Sequence, residues 1–314
     1  MPDDVEFDEE AHAALLSGFR VFRYRLEETV SIVQWPVSGD AGGPPVPVDP
    51  PLRGLLRGYM LSRQRRQFLH QSLVAAGVEL VVTPSDYENV HFFPASYATL
   101  APLSPRATWR PVDATATPGL FAECLEEVKG WGCRYVVLKD YVKSAKAHGS
   151  RFMQVPVDDD LPEVACDFVK ARGARFNEGV VFKEYVELVR YPGRGDFTTN
   201  EWRLWFMHQN LVEITANSFQ VAPREGQILG MFTEVEQVEP LPEEVLQQVK
   251  EMAKQIQSPY FTIDLAETDS GAWIILEAGD GGVSGLATSQ ELHELLHCGD
   301  SLGIILWAFF GHSS

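Results

Sequence analysis

Polar and apolar positions in the first third of the chain follow the periods of strands and of one helix. After an acidic beginning, "GFRVFRYRLEETVSIVQWPV" (18–37) predicts two strands, and the Gly- and Pro-rich segment 39–51 predicts a loop. Apolar residues at helical spacing over 55–77 predict a helix that ends at Gly77. The nearly continuous apolar run "VELVVTPSD" (78–86) is typical of a buried parallel strand. Strand, helix and strand in this order predict a small α/β domain.

The rest of the chain alternates between strand-like and helical segments. Helices are predicted for "TPGLFAECLEEVKGWG" (117–132), for "LPEEVLQQVKEMAKQI" (241–256) and from about Ser289 onward, where the apolar run 302–311 is expected to be a buried helix end. Strands are predicted for "RYVVLKD" (134–140), for "EGVVFKEYVELV" (178–189), for a hairpin over 201–220 that turns at Gln209-Asn210, and for two strands joined by "TDSG" within 261–282. A polar loop is predicted for 141–151.

Composition and charge restrict the partners that the chain is expected to have. The net charge of −18 on 314 residues makes nucleic acid an unlikely partner and argues against an anionic membrane, because both surfaces would repel the chain. The acidic first ten residues do not resemble a signal peptide, and the four cysteines show no CxxC spacing. The run 302–311 is about half the length that spans a bilayer. A cytoplasmic protein is expected, and its oligomeric state is not indicated.

Acidic side chains interrupt strands that are otherwise apolar and aromatic. One interpretation is a half-exposed antiparallel sheet with a polar face. The alternative is burial, in which case each acid needs a partner or a metal ion. Asp264 and Glu277 come close together if their strands pair through "TDSG", and a cation would then relieve their repulsion. Mg²⁺ is the natural candidate, because it prefers hard oxygen ligands that a phosphate completes. Asp280 is a possible third ligand.

Lysines supply the opposite charge. Lys139 ends one predicted strand, Lys183 lies on another, and Lys143 and Lys146 lie in the loop between them. Any one of these lysines is better explained as a solvated surface charge. As a set that faces possible metal-binding acids, they indicate a nucleotide triphosphate site.

Five segments in order resemble the ATP-grasp superfamily, in particular the branch that includes the Cdc123-like proteins and their bacterial relatives. They are "VVLKD", the loop with Gly149-Ser150, "FKEYV", "EWRLWF" and "FTIDLAETDSGAWIILEAGDGG". The resemblance covers about residues 105–300. It implies an α/β (α+β) fold with a pre-ATP-grasp α/β domain over 1–112 and an ATP-grasp domain over 113–314. The latter would divide into a small lid subdomain (about 113–190) and a larger metal-binding subdomain (about 191–314).

The resemblance also implies a role for each candidate residue. Lys139 corresponds to the strand lysine that contacts the phosphates, and 143–151 to the flexible loop that closes over them. The hinge "KEYV" corresponds to the adenine-binding segment, Glu201 to the acid that holds the ribose, and Asp264 and Glu277 to the Mg²⁺ ligands. Arg203 and Lys143 are the expected catalytic residues, with Asp280 as a further metal ligand. The residues expected to bind the nucleotide are Lys139, Lys183, Glu184, Tyr185, Val186 and Glu201.

Two positions depart from the family pattern. Most members have Asn two residues after the metal-binding Glu, where this chain has Gly279, and Asp280 would have to substitute from another backbone position. The phosphate-contacting lysine that often precedes the lid has no clear match, and Arg106 or Arg110 are its possible replacements.

The resemblance implies an enzyme that uses ATP and Mg²⁺ to activate a carboxylate as an acyl-phosphate for an amine or a similar nucleophile. The substrate would be a small molecule or a peptide. Two alternatives stay open: an ATP-grasp enzyme that acts on nucleic-acid ends, and a non-catalytic, ATP-binding assembly factor of the Cdc123 kind. The basic run 58–68 either recognises an anionic substrate or is a solvated helix face.

Overall fold

The protein combines helices with several small sheets. The computed structural model describes residues 5–16, 18–26, 30–35, 52–142, 151–191, 198–216, 241–285 and 304–308. The helices are α1 (Val5–Leu16), α2 (Arg63–Ala75), α3 (Pro84–His91), α4 (Phe93–Leu100), α5 (Ala122–Gly130), α6 (Leu161–Arg172) and α7 (Glu243–Ala253). The strands are β1 (Arg20–Leu26), β2 (Val30–Trp35), β3 (Leu52–Arg57), β4 (Val78–Leu80), β5 (Ala107–Pro111), β6 (Tyr135–Asp140), β7 (Val155–Pro156), β8 (Gly179–Glu184), β9 (Arg190–Tyr191), β10 (Thr198–Thr199), β11 (Glu201–Met207), β12 (Asn210–Ala216), β13 (Tyr260–Glu267), β14 (Trp273–Asp280) and β15 (Ile304–Ala308).

The strands form mixed sheets, which confirms the predicted α+β class. Within the described residues the sheet orders are β2-β1-β15-β3-β4, β5-β8-β6-β7, β12-β11-β13-β14 and β10-β9. In the first sheet β3 pairs with β4 in parallel, as the apolar run after Gly77 predicts.

The apolar run near the C-terminus is a strand, so the prediction of a helix end over 302–311 is wrong. β15 lies between β1 and β3 and runs parallel to both. A short apolar run has no period that separates a buried helix from a central strand, and the neighbours that decide the matter lie more than 240 residues earlier in the chain.

The helix predicted for 55–77 begins later than expected. Leu52–Arg57 is strand β3, and the helix begins after Ser62, whose hydroxyl accepts a hydrogen bond from the Arg65 N–H at 3.4 Å. Gly77 follows the end of this helix with a φ of +78°, which confirms the predicted stop. Leu69 and Leu73 bury the inner face of the helix.

Most of the other predicted elements are confirmed. Strands β1, β2, β6 and β8, helices α5 and α7, and the β13–β14 pair joined at "TDSG" occur where the pattern places them. The β11–β12 hairpin turns at His208-Gln209, one residue earlier than predicted, and both residues have positive φ. The Gln209 amide donates to the carbonyls of Ile256 and Ser258, which fixes this turn. The loop over 39–51, residues 143–150 and the helix from Ser289 lie outside the described residues.

The chain divides into two compact units. The first comprises Met1–Val90, Arg190–Leu265 and Ala278–Ser314, and the second comprises His91–Val189 and Ala266–Glu277. The second unit therefore includes the end of the β13–β14 hairpin that contains Glu277. Within it, Val136, Leu138 and Phe182 of β6 and β8 belong to an apolar cluster that α5 and α6 also line. Among the described helices, none combines the length and the apolar composition needed to cross a membrane.

We expect Leu306→Pro to destabilise the first unit, because proline in a central strand removes a ladder hydrogen bond and its ring disturbs the pairing. The free energy of unfolding, measured by urea titration, should fall by about 3 kcal/mol or more. Leu306→Val keeps a strand-forming side chain and should cost less than about 1.5 kcal/mol. Equal losses for the two variants would contradict a central β15.

Candidate functional site

Two lysines lie on one face of the sheet of the second unit. In the antiparallel pair of β6 and β8, Lys183 is opposite Val137 and Lys139 is opposite Val181. Side chains two residues apart on a strand point to the same face, and directly opposed residues share that face. The register therefore makes Lys139 and Lys183 diagonal neighbours, and each is only 6% exposed.

Contacts from the same unit hold both ammonium groups. Lys139 Nζ lies 3.2 Å from Glu277 Oε2 and forms an ion pair with it. Lys183 Nζ donates to the carbonyl oxygens of Leu276, at 2.5 Å, and Ile275, at 3.4 Å. Lysine Nζ atoms also lie over the Phe93 ring, at 5.2 Å for Lys139 and 5.7 Å for Lys183. This ring offers both cations its negative face.

The lysine pair carries more positive charge than the acid beside it offsets. Burial lowers the pKa of Lys183 to about 7, the charge of Lys139 lowers it further, and Glu277 opposes both effects. The Glu277 side chain is 43% exposed, so solvent screens part of its charge. A buried cluster of this kind is suited to bind an anion, because an added negative charge would stabilise both ammonium groups.

The predicted hinge begins at the end of β8. Glu184 accepts two hydrogen bonds from Arg106, at 2.9 and 2.7 Å, and this arginine lowers the pKa of Glu184. The backbone N–H of Tyr185 donates to the Tyr135 carbonyl at 3.1 Å, and the two rings meet edge to face. Val186 follows, half-buried. Arg106 is engaged here, and Arg110 pairs with Glu123, so both possible substitutes for the missing phosphate lysine have other partners.

Arg203 and Asp264 form a buried ion pair in the first unit. Arg203 Nε donates to Asp264 Oδ1 and Nη2 donates to Oδ2, both at 2.8 Å. Their side chains are 12% and 6% exposed. On the same strand as Arg203, Glu201 accepts a 2.6 Å hydrogen bond from the Thr199 hydroxyl. Lys143, the other predicted catalytic residue, lies outside the described residues.

Asp280 lies in surroundings that the sequence did not indicate. It is fully buried, together with Arg57 and Arg66, which are each 1% exposed. Burial raises the pKa of Asp280, whereas Arg66, the Gly282 N–H and Arg57 oppose that rise. Arg57 also pairs with Glu10 at 2.9 Å. Two buried acids thus accompany two buried arginines, which favours a structural role for Asp280. Its role as a metal ligand stays a prediction.

The basic run on α2 has intramolecular partners. Arg63 pairs with Glu88, Arg65 donates to the Leu26 carbonyl at 3.3 Å, and Arg66 donates to the Val82 carbonyl at 3.2 Å. These contacts favour neither a free anion-binding strip nor a wholly solvated helix face.

Sequence reasoning missed Phe93 and Arg57. Phe93 occurs in the aromatic cluster "HFFPASY" at the start of α4, and nothing in this pattern distinguishes it from an ordinary core residue. Arg57 follows two leucines of β3, and a charge that ends an apolar strand was the available signal.

The acids present are compatible with a magnesium ion that is bound together with a nucleotide. In the part of the chain that the structure describes, no three His, Cys, Asp or Glu side chains form a metal-binding group on their own. Mg²⁺ is commonly held by one or two carboxylates and completed by substrate phosphates and water. Asp264 and Glu277, each held in place by a cationic partner, are of the donor type that this mode requires.

The chain belongs to a family of ATP-grasp proteins. The family model, which describes an ATP-grasp domain and is the third family of its clade, matches residues 128–297, which is more than half of the chain. This stretch contains both lysines, the hinge, Arg203 and the three acids. None of the curated proteins compared with the chain matches it.

Solved ATP-grasp structures share the fold at low identity. D-alanyl-alanine synthetase A from Vibrio cholerae is 15% identical with a TM-score of 0.58, over 95% of this chain and 89% of that one. The ATP-grasp ligase PsnB, solved with a minimal precursor, is 15% identical with a TM-score of 0.52, over 95% and 96%. The macrocyclase MdnC from Microcystis aeruginosa, bound to the precursor peptide MdnA, is 14% identical with a TM-score of 0.51, over 94% and 96%. At this identity the similarity shows the ATP-grasp fold.

We expect the Lys183 ammonium to titrate near pH 7, because burial and Lys139 both disfavour its charged form. Lysine-selective ¹³C labelling and an NMR pH titration would measure this pKa, with Lys183→Met to assign the resonance. In Lys139→Met the pKa of Lys183 should rise, because a like charge is removed. A midpoint above pH 9 in the wild-type protein would contradict the buried arrangement.

We expect Asp280→Ala to lower the melting temperature in EDTA and without nucleotide, because it leaves the buried arginines without an acid. Removing one partner from buried charges costs about 3 kcal/mol or more. Asp159→Ala removes an acid that pairs with Lys129 at the surface, and it should cost less than about 1 kcal/mol. If Asp280 serves only as a metal ligand, its removal will leave the melting temperature in EDTA unchanged.

Proposed function

We propose that this protein is an ATP-dependent ligase of the ATP-grasp type that activates a carboxylate for attack by an amine or a similar nucleophile. Membership of the ATP-grasp family supports the use of ATP. The single observation that carries the proposal is the pair of buried lysines on β6 and β8, which forms an excess of positive charge within the matched region.

The proposed reaction consists of two substitutions. A carboxylate oxygen of the substrate attacks the γ-phosphorus of ATP, and the bond to the β,γ-bridging oxygen breaks to release ADP. The nucleophile then attacks the acyl carbon, loses a proton, and expels inorganic phosphate. Lys139 and Lys183 offset negative charge on the phosphates, and Lys143 would add a further cation. No nucleophilic side chain of the protein is required.

Further residues are assigned by proposal. The backbone of Glu184 and Val186 would bind the adenine edge beside Tyr185, and Glu201 would hold the ribose. Asp264 and Glu277 are the proposed Mg²⁺ ligands, with Arg203 beside Asp264. When it is bound, Mg²⁺ would supply a Lewis acid that neutralises charge on the transferred phosphoryl group.

The substrate is proposed to be a small molecule or a peptide. Relatives with this fold include a ligase solved with a precursor and a macrocyclase solved with its precursor peptide, which supports this class by analogy alone. The net charge of −18 disfavours nucleic-acid ends as the acceptor.

We expect Mg-ATP to raise the melting temperature, since a ligand that binds only the folded protein stabilises it by about 2.7 kcal/mol at a concentration of 100 Kd. Lys139→Met should remove most of this increase, because it deletes one of the two buried cations. Lys129→Met removes an exposed lysine of α5 and should leave the shift unchanged. Absence of any shift in the wild-type protein at millimolar nucleotide would contradict the proposed use of ATP.

Turnover separates the ligase from its alternatives. Release of ADP and phosphate that depends on an amino-acid or peptide acceptor supports the proposal. Release that depends on RNA ends would favour the nucleic-acid enzyme. Binding without turnover on any acceptor would favour an ATP-binding assembly factor.

A further inference from the structure

We propose that Arg203 is a positioning residue, which acts on the bound nucleotide only through Asp264 and does not contact the transferred phosphate. This inference rests on the proposed function, in which Asp264 is a metal ligand. It differs from the role that the family resemblance implies, where this arginine faces the phosphate.

The first observation is the form of the ion pair. Nε and Nη2 of Arg203 donate to the two separate oxygens of Asp264 at equal distances of 2.8 Å. A planar guanidinium that binds both oxygens of a carboxylate fixes the rotation of that carboxylate as well as its position. The two residues lie on the neighbouring strands β11 and β13, whose backbones are themselves held in one sheet.

The second observation is that the guanidinium is anchored on another side. Arg203 Nη1 donates to the Gly285 carbonyl at 3.2 Å. The segment that contains this carbonyl is fixed in turn, because the Ser284 hydroxyl donates to the Asp280 carbonyl at 3.0 Å and lies 2.9 Å from the Thr262 hydroxyl. Three of the five N–H donors of an arginine are used by these contacts. Turning the guanidinium towards a phosphate would break charge-assisted hydrogen bonds to a buried acid.

The pairing is compatible with metal binding by the same acid. A carboxylate oxygen has two lone pairs, so a hydrogen bond from Arg203 does not prevent that oxygen from ligating a cation. Hydrogen bonds to a ligating carboxylate orient it, and loss of such a partner typically weakens metal affinity 10- to 100-fold. The arginine is therefore expected to affect the metal and not the phosphate directly.

The test is a double-mutant cycle of Arg203→Gln and Asp264→Asn, read as the affinity for ADP by isothermal titration calorimetry with Mg²⁺ or with EDTA. ADP lacks the phosphate that would be transferred. We expect Arg203→Gln to weaken ADP binding about tenfold or more in Mg²⁺ and to leave it unchanged in EDTA. The double variant should bind Mg-ADP as Asp264→Asn does, because Arg203 has no effect once the carboxylate is gone. A non-hydrolysable ATP analogue should show the same fold-loss as ADP.

Two further variants separate this role from a structural one. Arg172→Gln breaks another buried arginine–aspartate pair, in which Arg172 Nε lies 2.8 Å from Asp140 Oδ2. It should lower the melting temperature without changing the ratio of ADP affinities in Mg²⁺ and EDTA. If Arg203→Gln does not fold, Arg203→Lys retains the charge without the two-pronged contact, and it should show a smaller loss that is again specific to Mg²⁺.

Each outcome decides the matter. Additive losses in the double variant, or a loss confined to the ATP analogue, would overturn the positioning role and restore direct contact with the phosphate. Equal losses in Mg²⁺ and EDTA would make Arg203 a structural residue. If wild-type protein binds neither nucleotide, the proposed function fails, and this inference fails with it.

Discussion

Two ammonium groups buried side by side are the constraint on which the candidate site depends. Lys139 and Lys183 are held by the register of β6 and β8, and the Phe93 ring and the carbonyls of β14 compensate them in part. The low pKa of Lys183 measures how incomplete this compensation is. Burying cations without full neutralisation costs stability, so the arrangement is best explained by an anion that the site is built to receive.

The acids of the β13–β14 hairpin have different partners, and these partners indicate different roles. Glu277 is half-exposed and pairs with Lys139, whereas Asp264 is buried and bound at both oxygens by Arg203. Asp280 belongs to a buried group that also contains Arg57 and Arg66. Charge neutralisation by the protein is therefore most complete around Asp264 and Asp280, and least complete beside the lysine pair.

Local pattern predicted the elements that carry the site, and distant contacts account for what it missed. Lys139 and Lys183 stood out because a charge within an apolar strand needs a reason, and pairing of β13 with β14 followed from the short "TDSG" turn. β15 was misassigned because its partners lie at the other end of the chain. The surroundings of Asp280 were also unpredictable, since its arginines lie more than 200 residues earlier. The roles assigned to individual site residues stay predictions.

The most direct measurement is a crystal structure of the protein with Mg²⁺ and a non-hydrolysable ATP analogue. The account predicts phosphate oxygens within hydrogen-bonding distance of Lys139 Nζ and Lys183 Nζ, and the adenine against the backbone of Glu184 and Val186. It would be contradicted by a nucleotide bound elsewhere on the chain, with Lys183 still donating only to the carbonyls of Ile275 and Leu276.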